Sequence, residues 1–482
     1  MSPCAFDSKV SRTRRSSCFF TETRRFRPVL HAALILVLVL GLAVSASVGA
    51  ADPPAQAAPT LRGTDLFALA KLGEQFFESL PDASRLNVDR IVAFEENPQF
   101  VYLAGKTDTA LRRIVLLKPR TFVVEDRIQV PADGAPVRWE LLVRSKLEVD
   151  GRSFGANGSG GELSGESLLP KNATLRHARA SSDEGDSPKH AVEITAKANG
   201  REARILSVFQ VGRPNEEGGK PQCQVTGTEG GWQLTVSTAE QTLRLSLPAQ
   251  RDAAGKIAIE DADGQSLVKE RLLPSGIMPH GEEGVRLMRR WDTPYQRERM
   301  PGWDTGRVAP ELKKLVGQEP AKRGRAVVLG CGTGTNAIFL AGKGFDVTGV
   351  DVAPSALVHA EEKAREAGVK VHWVVADVLA LPEMEPVDLV FDRGCYHHVR
   401  QYNAAGYVQS VCGISRTGTR LLLLAGSAKE ERRSGPPKIK EEEIRGDFSE
   451  LFTFEWLRDI RFDSVNPNAQ GPMAWSVLLR RK

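Results

Sequence analysis

The stretch Ala326-Val327-Val328-Leu329-Gly330-Cys331-Gly332-Thr333-Gly334-Thr335-Asn336 decides the reading of this chain. Four apolar residues predict a short strand, the alternating glycines a tight turn, and Ala337-Ile338-Phe339-Leu340-Ala341 the start of a helix. Glycines let the backbone approach a ligand there, and the helix N-terminus presents free N–H groups, which together describe a nucleotide-cofactor turn. A Gly-x-Gly-x-Gly run alone also fits an ordinary tight turn, so the next residues carry the argument. Phe345-Asp346-Val347-Thr348-Gly349-Val350-Asp351 reads as a second strand ending in an acid. The acid follows the glycines by about 20 residues, a spacing that suits a carboxylate accepting hydrogen bonds from both ribose hydroxyls.

Val371-His372-Trp373-Val374-Val375 is a third strand, ending in Ala376-Asp377, and Val387-Asp388-Leu389-Val390-Phe391 a fourth, ending in Asp392-Arg393-Gly394. Acids thus sit at the carboxyl ends of successive strands, where open parallel sheets hold their ligands. Between the second and third strands, Pro354-Ser355-Ala356 opens a helix through Ala367 that Gly368 closes. The βαβαβ order predicts a doubly wound, Rossmann-like α/β sheet. Gly418 to Ala425 reads as strand five, and Gly435-Pro436-Pro437 as a turn near the site rim. The mixed-sign run Lys438 to Arg445 reads as a solvated helix face.

These residues resemble the cofactor half of class I S-adenosylmethionine-dependent methyltransferases. Pro301-Gly302-Trp303-Asp304-Thr305-Gly306-Arg307, followed by Pro310-Glu311-Leu312, is similar to the Trp-Asp motif of the thiopurine and halide/thiol methyltransferase group. Asp392-Arg393-Gly394-Cys395-Tyr396-His397-His398 is similar to that group's Asp-Arg-Gly turn. The resemblance spans residues 285–482. It implies a seven-stranded, mostly parallel sheet closed by an antiparallel pair (Phe452 to Ile460 and Ala474 to Leu479), S-adenosyl-L-methionine as cofactor, and a small-molecule acceptor. One position departs from the wider class: most members carry an acid two residues before the first glycine, and here Val328 stands there. The thiopurine and halide group also often lacks that acid, which leaves open what meets the methionine amino group.

Chemistry and resemblance together assign expected roles. Gly330, Cys331, Gly332 and Gly334 form the turn beneath the cofactor. Asp351, with Val352 beside it, is expected on the ribose hydroxyls, and Asp377 with Val378 on the adenine. The planar fork of Arg393 suits the cofactor carboxylate or an anionic substrate. Trp303 is expected over the sulfonium, where an aromatic face favours positive charge. The bland alternatives are a plug at the domain mouth for Trp303, a helix cap for Asp377 and a surface ion pair for Arg393.

Methyl transfer is an in-line displacement at a sulfonium carbon, so alignment and exclusion of water supply much of the acceleration. A thiolate needs no enzymic base, whereas an alcohol or amine does. His397 and His398 are the candidate bases, ahead of Tyr396 and Cys395. The eight His and six Cys show no metal-ligand or disulfide spacing.

At 482 residues the chain calls for more than one domain. Residues 1–28 carry seven Lys/Arg against two Asp/Glu, which is the whole formal net charge of +5. The remainder is formally neutral, which argues against a nucleic-acid partner. Residues 29–50 include about 20 uncharged residues rich in Leu, Val and Ala, enough for a transmembrane helix or a signal peptide with Val48-Gly49-Ala50 as its cleavage pattern. The basic leader places the N-terminus in the cytoplasm and the rest outside. An Ala/Pro linker (51–60) follows.

Residues 61–273 are strand-like, and short strands with Gly, Asn, Asp and Ser breaks predict an antiparallel β-sandwich. Strands are expected around the Lys118-Pro119 turn and at Val137 to Val143, Ala191 to Ala196, Ile205 to Val211, Trp232 to Ser237 and Thr242 to Leu247. Gly151 to Ser187 reads as a long mobile loop. The Lys-Pro strand pair and its neighbours resemble the C-terminal β-sandwich of heparinase II/III-type lyases, implying glycan contact or a scaffold, with no site to carry over. His177 and His190 stand single and far apart in sequence.

An exported leader conflicts with a cytoplasmic cofactor. The first methionine after Met1 is Met278, and a start there would give the cofactor domain alone in the cytoplasm. Two functions stay open from sequence: a methyltransferase acting on a small nucleophile, and an envelope carbohydrate-binding or scaffold protein with a non-catalytic Rossmann domain.

Overall fold

The structure, a computed structural model, describes residues 60–62, 86–130, 136–143, 146–158, 161–179, 190–197, 201–212, 220–318, 323–466 and 468–482. The apolar stretch 29–50 lies outside the described residues. Among the described residues no helix is long and apolar enough to cross a membrane.

The C-terminal half is built on β1 (Arg325–Leu329), β2 (Asp346–Asp351), β3 (His372–Val375), β4 (Val387–Arg393), β5 (Ser415–Gly426), β6 (Phe452–Arg461) and β7 (Met473–Arg481). They form one sheet in the order β3-β2-β1-β4-β5-β7-β6. The first five run parallel, and β7 pairs antiparallel with both β5 and β6. Around the sheet lie α1 (Gly281–Asp292), α2 (Pro310–Gln318), α3 (Thr335–Gly342), α4 (Pro354–Glu366), α5 (Tyr396–Gly413) and α6 (Glu441–Phe448). Alternate residues of β1 enter different cores: Val327 and Leu329 join one, Ala326 and Val328 the other. A strand buried on both faces reads as an uninterrupted apolar run, as Ala326 to Leu329 does.

The β-rich half differs from a two-sheet sandwich. An eight-stranded sheet is covered on one face by a four-stranded sheet and on the other by a five-stranded sheet. Its central hairpin, Ala110–Leu117 and Thr121–Gln129, is therefore buried almost along its whole length. Directly opposed residues on this hairpin pair by charge. Arg112 donates to Asp126 at 2.7 Å, with the Trp139 Nε1–H also on Asp126, and Arg113 donates to Glu125 at 2.8 Å. Buried charges persist only with such partners.

Gly151 to Ser187 is not the expected long loop. Three strands, Ser153–Gly158, Gly161–Leu169 and Thr174–Arg179, occupy most of it, and residues 180–189 lie outside the described residues. Gly165, one of the glycines that suggest a loop, is a packing position: a Cβ there would lie 2.5 Å from the Phe154 ring and 2.7 Å from Phe209 Cβ. Small residues there admit the large ones opposite. Antiparallel pairing of Thr174–Arg179 with His190–Ala196 also brings His177 and His190 together, Nε2 to Nδ1 at 2.9 Å.

The two halves meet through the segment 273–280. Phe94 N–H donates to Gly276 O (3.2 Å), Met278 N–H to Phe94 O (2.9 Å) and Ser275 N–H to Val375 O at the end of β3 (3.1 Å). Arg90 Nη1 and Nη2 donate to the two Glu383 oxygens (2.6 and 3.1 Å), and Lys256 Nζ donates to Glu361 (2.8 and 2.9 Å). Met278 is itself buried in the cofactor-domain core. A chain starting there would lose Ser275 and Gly276 from the outer support of residues 375–380. Gly276 is the tightest point of this joint, since a Cβ there would sit 2.7 Å from Ala380 O and 3.0 Å from Ala376 Cβ. Gly276→Val should displace the Asp377 turn and destabilise the fold by about 1–3 kcal/mol, the usual cost of overpacking. Denaturant unfolding of the full chain checks it, and unchanged stability would show the joint to be compliant.

Candidate active site

The site lies at the carboxyl ends of β1 to β4. Gly330, Gly332 and Gly334 all have positive φ (59°, 55° and 77°), which side chains with a Cβ rarely adopt. Gly334 also abuts the Trp373 ring, where a Cβ would meet a ring carbon at 2.5 Å. Cys331 N–H bonds to Val350 O at 3.0 Å, which ties the turn to β2. The Cys331 side chain is buried and its thiol pushed far up by burial, so it is a packing group.

Asp351 ends β2 facing this turn. Its Oδ2 accepts from Gly332 N–H at 2.7 Å and its Oδ1 from Ala353 N–H at 2.9 Å. Burial raises its pKa to about 6, with the N–H donors of Ala353 and Gly332 working against that rise. Val352 packs partly buried beside it. Asp377 stands at the end of β3, raised by burial, and its Oδ1 accepts from Leu379 N–H at 2.9 Å. It caps a short 3-10 turn (Val378–Ala380), and Val378 is buried beneath.

Across the glycine turn lies the strap Pro301 to Arg307. Trp303 is 49% exposed at the rim, and its Nε1–H donates to the Tyr295 hydroxyl at 3.0 Å. Tyr295 is buried, and burial raises its pKa. Asp304 Oδ2 accepts from the Thr333 hydroxyl at 2.6 Å, and Lys363 Nζ reaches the same hydroxyl at 2.6 Å. Tyr295, Trp303, Asp304, Arg307, Gly330 to Thr333 and Arg393 line a narrow, partly open cleft. Its width at the turn depends on glycine, because a Cβ on Gly332 would lie 3.1 Å from the Tyr295 oxygen.

Arg393, at the end of β4, enters this cleft already partnered. Its Nη2 meets Asp463 Oδ1 at 2.6 Å, its Nη1 donates to Trp303 O at 3.2 Å, and its guanidinium lies 5.0 Å from the centre of the Phe462 ring. Asp392 turns the other way, fully buried under the start of α5. It accepts from Cys395 N–H (3.0 Å), Tyr396 N–H (2.9 Å) and the Tyr407 hydroxyl (2.7 Å). A carboxylate at a helix N-terminus is favourably placed. Burial nevertheless raises its pKa to about 7, against the donors that hold it.

The two candidate bases require correction. His397 is 4% exposed, and its Nδ1 accepts the Gly426 N–H at 2.9 Å, which fixes a neutral ring with its proton on Nε2. Burial lowers its pKa to about 3, helped by His398 and Arg393, so it anchors β5 to α5 and is not a base. His398 packs edge-on against Trp291 at 4.6 Å, and burial with nearby Arg290 lowers its pKa to about 4. It is neutral at pH 7 and a weak proton acceptor. Cys395 is raised by burial beside Asp392, and Tyr396 by burial and its bond to Asp447, so neither is ionised near neutrality.

Sequence reading missed Tyr295, Trp291, Phe462 and Asp463. Trp291 and Tyr295 precede the strap and complete an aromatic cluster with Trp303, at 5.9 and 6.5 Å between ring centres. Asp463 lies 70 positions from Arg393, and nothing in the local pattern marks it.

The same half of the chain is similar to several known proteins. The Thiopurine S-methyltransferase family profile matches residues 287–477. Thiocyanate methyltransferase 1 of Arabidopsis thaliana is 34% identical over 171 residues, covering 34% of this chain and 75% of that protein. 2-heptyl-1-hydroxyquinolin-4(1H)-one methyltransferase of Mycobacteroides abscessus is 28% identical over 176 residues, 36% of this chain and 77% of that protein. A solved structure from work on conversion of a disulfide bond into a thioacetal group during echinomycin biosynthesis is 26% identical, covering 41% of this chain and 92% of its own, with a TM-score of 0.37.

Proposed function

This chain belongs to the thiopurine S-methyltransferase family and is an S-adenosylmethionine-dependent methyltransferase of small molecules, and from that premise we propose that its acceptor is a soft nucleophile such as a thiol, thiocyanate or halide. The observation that carries this reading is that neither histidine following Asp392-Arg393-Gly394 is placed to act as a base. His397 is committed to Gly426, and His398 has a pKa of about 4. An acceptor that arrives as an anion, or that ionises unaided near neutral pH, needs neither.

The residues present fit the cofactor. The Gly332 cradle would be filled by a Cβ, and the partly buried Asp351 carboxylate faces that cradle. When bound, the cofactor supplies an electrophilic methyl on a sulfonium. Asp351 would accept from the ribose hydroxyls, and Asp377 with Val378 would border the adenine. Trp303 would cover the sulfonium, where an aromatic face stabilises positive charge by about 1–2 kcal/mol. Asp304 is suited to the methionine amino group, because Val328 leaves no acid on β1 and Asp304 borders the same cleft. Arg393 uses two of its donors on Asp463 and Trp303 and offers the rest to a carboxylate.

An acceptor held in the cleft would present its electron pair to that methyl in line with the sulfonium sulfur. The strap and the Trp291–Tyr295–Trp303 cluster exclude water from that line. Incubation of the full chain with S-adenosylmethionine and separate thiol, thiocyanate, halide and alcohol acceptors tests the proposal. Methylated thiol, thiocyanate or halide, without methylated alcohol, is expected; turnover of alcohols alone would overturn it. For Arg393→Met, S-adenosylhomocysteine should bind about tenfold or more weakly, from loss of a charged hydrogen bond. 5′-Methylthioadenosine, which lacks the carboxylate, should bind as before, and equal weakening of both would remove Arg393 from that role.

A further inference from the structure

We propose that Asp463 is a positioning residue that locks the Trp303 strap and the Arg393 guanidinium into one rigid wall of the cleft, an inference that rests on the proposed carboxylate role of Arg393. Asp463 follows β6, and its two oxygens divide between the two elements. Oδ1 takes Arg393 Nη2 at 2.6 Å, and Oδ2 takes the Thr305 hydroxyl at 2.5 Å. Arg307 Nε stands 3.8 Å away, and the Arg307 guanidinium also donates to Ser464 O. The strap closes the loop from its own side, because Trp303 O accepts from Arg393 Nη1 at 3.2 Å. Strap, arginine and the 462–464 segment thus form a ring of hydrogen bonds around one carboxylate.

Asp463 and Arg393 each keep only 16% of their side chains exposed, so the pair is largely shielded from solvent screening. Burial alone would raise the Asp463 pKa, but the Thr305 hydroxyl and Arg393 outweigh it and hold the carboxyl below its usual range. The carboxylate is therefore charged throughout the neutral range. Phe462 adds a second restraint, since its ring lies beneath the guanidinium. A long arginine would otherwise sample many rotamers, and fixing it beforehand reduces the ordering cost of ligand binding. The same ring holds the strap from Trp303 to Arg307, with the Trp303 side chain itself half exposed.

Asp463→Asn keeps the shape and removes the charge, and Asp463→Glu keeps the charge. Hydrogen–deuterium exchange of the peptide spanning residues 301–309 in the ligand-free full chain should speed up about tenfold in Asp463→Asn, as expected for losing a charge-assisted bond. Affinity for S-adenosylhomocysteine should fall about tenfold while 5′-methylthioadenosine binding stays unchanged, with Asp463→Glu recovering much of both losses. Unchanged exchange in Asp463→Asn overturns the proposal. Equal loss of both ligands, together with a lowered melting temperature, also overturns it by showing a general effect on the fold. Absence of S-adenosylhomocysteine binding in the unmodified chain would contradict the cofactor site instead, and the exchange result would still decide the role of Asp463.

Discussion

Asp351→Ala should weaken S-adenosylhomocysteine binding by at least about 100-fold, from loss of two charge-assisted hydrogen bonds of about 1.5–3 kcal/mol each. The carboxylate ends β2 opposite the glycine turn, and both of its oxygens already accept N–H groups, from Gly332 and Ala353. Those bonds orient it before the ribose arrives, so little ordering is left for binding to accomplish. The pH dependence has a definite sign. Burial raises the Asp351 pKa to about 6, and only the charged form accepts from two hydroxyls. Affinity is therefore full above pH 6 and declines as pH falls through it, by up to about tenfold per unit at the acid end. In Asp351→Asn that pH dependence should vanish along with most of the affinity. Titration calorimetry at a series of pH values reads both effects; an affinity that rises on acidification would contradict the assignment.

Asp392→Ala should be strongly destabilising. It strands two buried donors, the Tyr396 N–H and the Tyr407 hydroxyl, and the part-buried Cys395 N–H. At about 1–3 kcal/mol for each orphaned donor, the cost at pH 5 is about 3–5 kcal/mol after partial relaxation. That cost should shrink as pH rises. The native carboxyl has a pKa of about 7 against an ordinary 3.8, so between those values the folded chain binds the proton more tightly than the unfolded one. Stability due to Asp392 is then full below about pH 4 and lost as pH climbs through 7, by at most about 1.4 kcal/mol per unit. His397 and His398 act oppositely: their lowered values, about 3 and about 4, make stability rise with pH up to 6.5. Both proteins share these imidazoles, so the difference between wild type and Asp392→Ala isolates the carboxyl. Denaturant unfolding at pH 5 and pH 8 should show the larger difference at pH 5. A larger difference at pH 8 would mean that Asp392 is ionised and favourably held throughout.

Much of the cofactor half was legible because its signals are local. Ala326 to Leu329 has no polar residue to face solvent, and Gly330, Gly332 and Gly334 occupy conformations that other residues avoid. Strand, turn and acid follow one another along the chain, so spacing alone orders β1, β2 and their loop. Asp463 illustrates what spacing cannot supply: its partners Thr305 and Arg393 are 158 and 70 positions away. His397 shows the complementary failure. A histidine after Asp-Arg-Gly looks chemically available, yet the register of β5 delivers the Gly426 N–H onto its ring. In the β-rich half, Gly155 and Gly165 resemble loop residues by composition, but Gly165 makes room for Phe154 and Phe209. A glycine chosen for what lies opposite it carries no local mark of that choice. The third sheet layer was hidden for a related reason, since charged pairs such as Arg113 with Glu125 gave a buried strand a polar appearance.

The central claim is that the cleft between the Trp303 strap and the Gly330–Gly334 turn is a working cofactor site. Titrating S-adenosylhomocysteine into the full chain by calorimetry, beside Asp351→Ala with a matched melting temperature, tests it most directly. The account predicts one site per chain with micromolar affinity that the variant loses. Absence of heat and of any thermal stabilisation in a folded wild-type protein would contradict it.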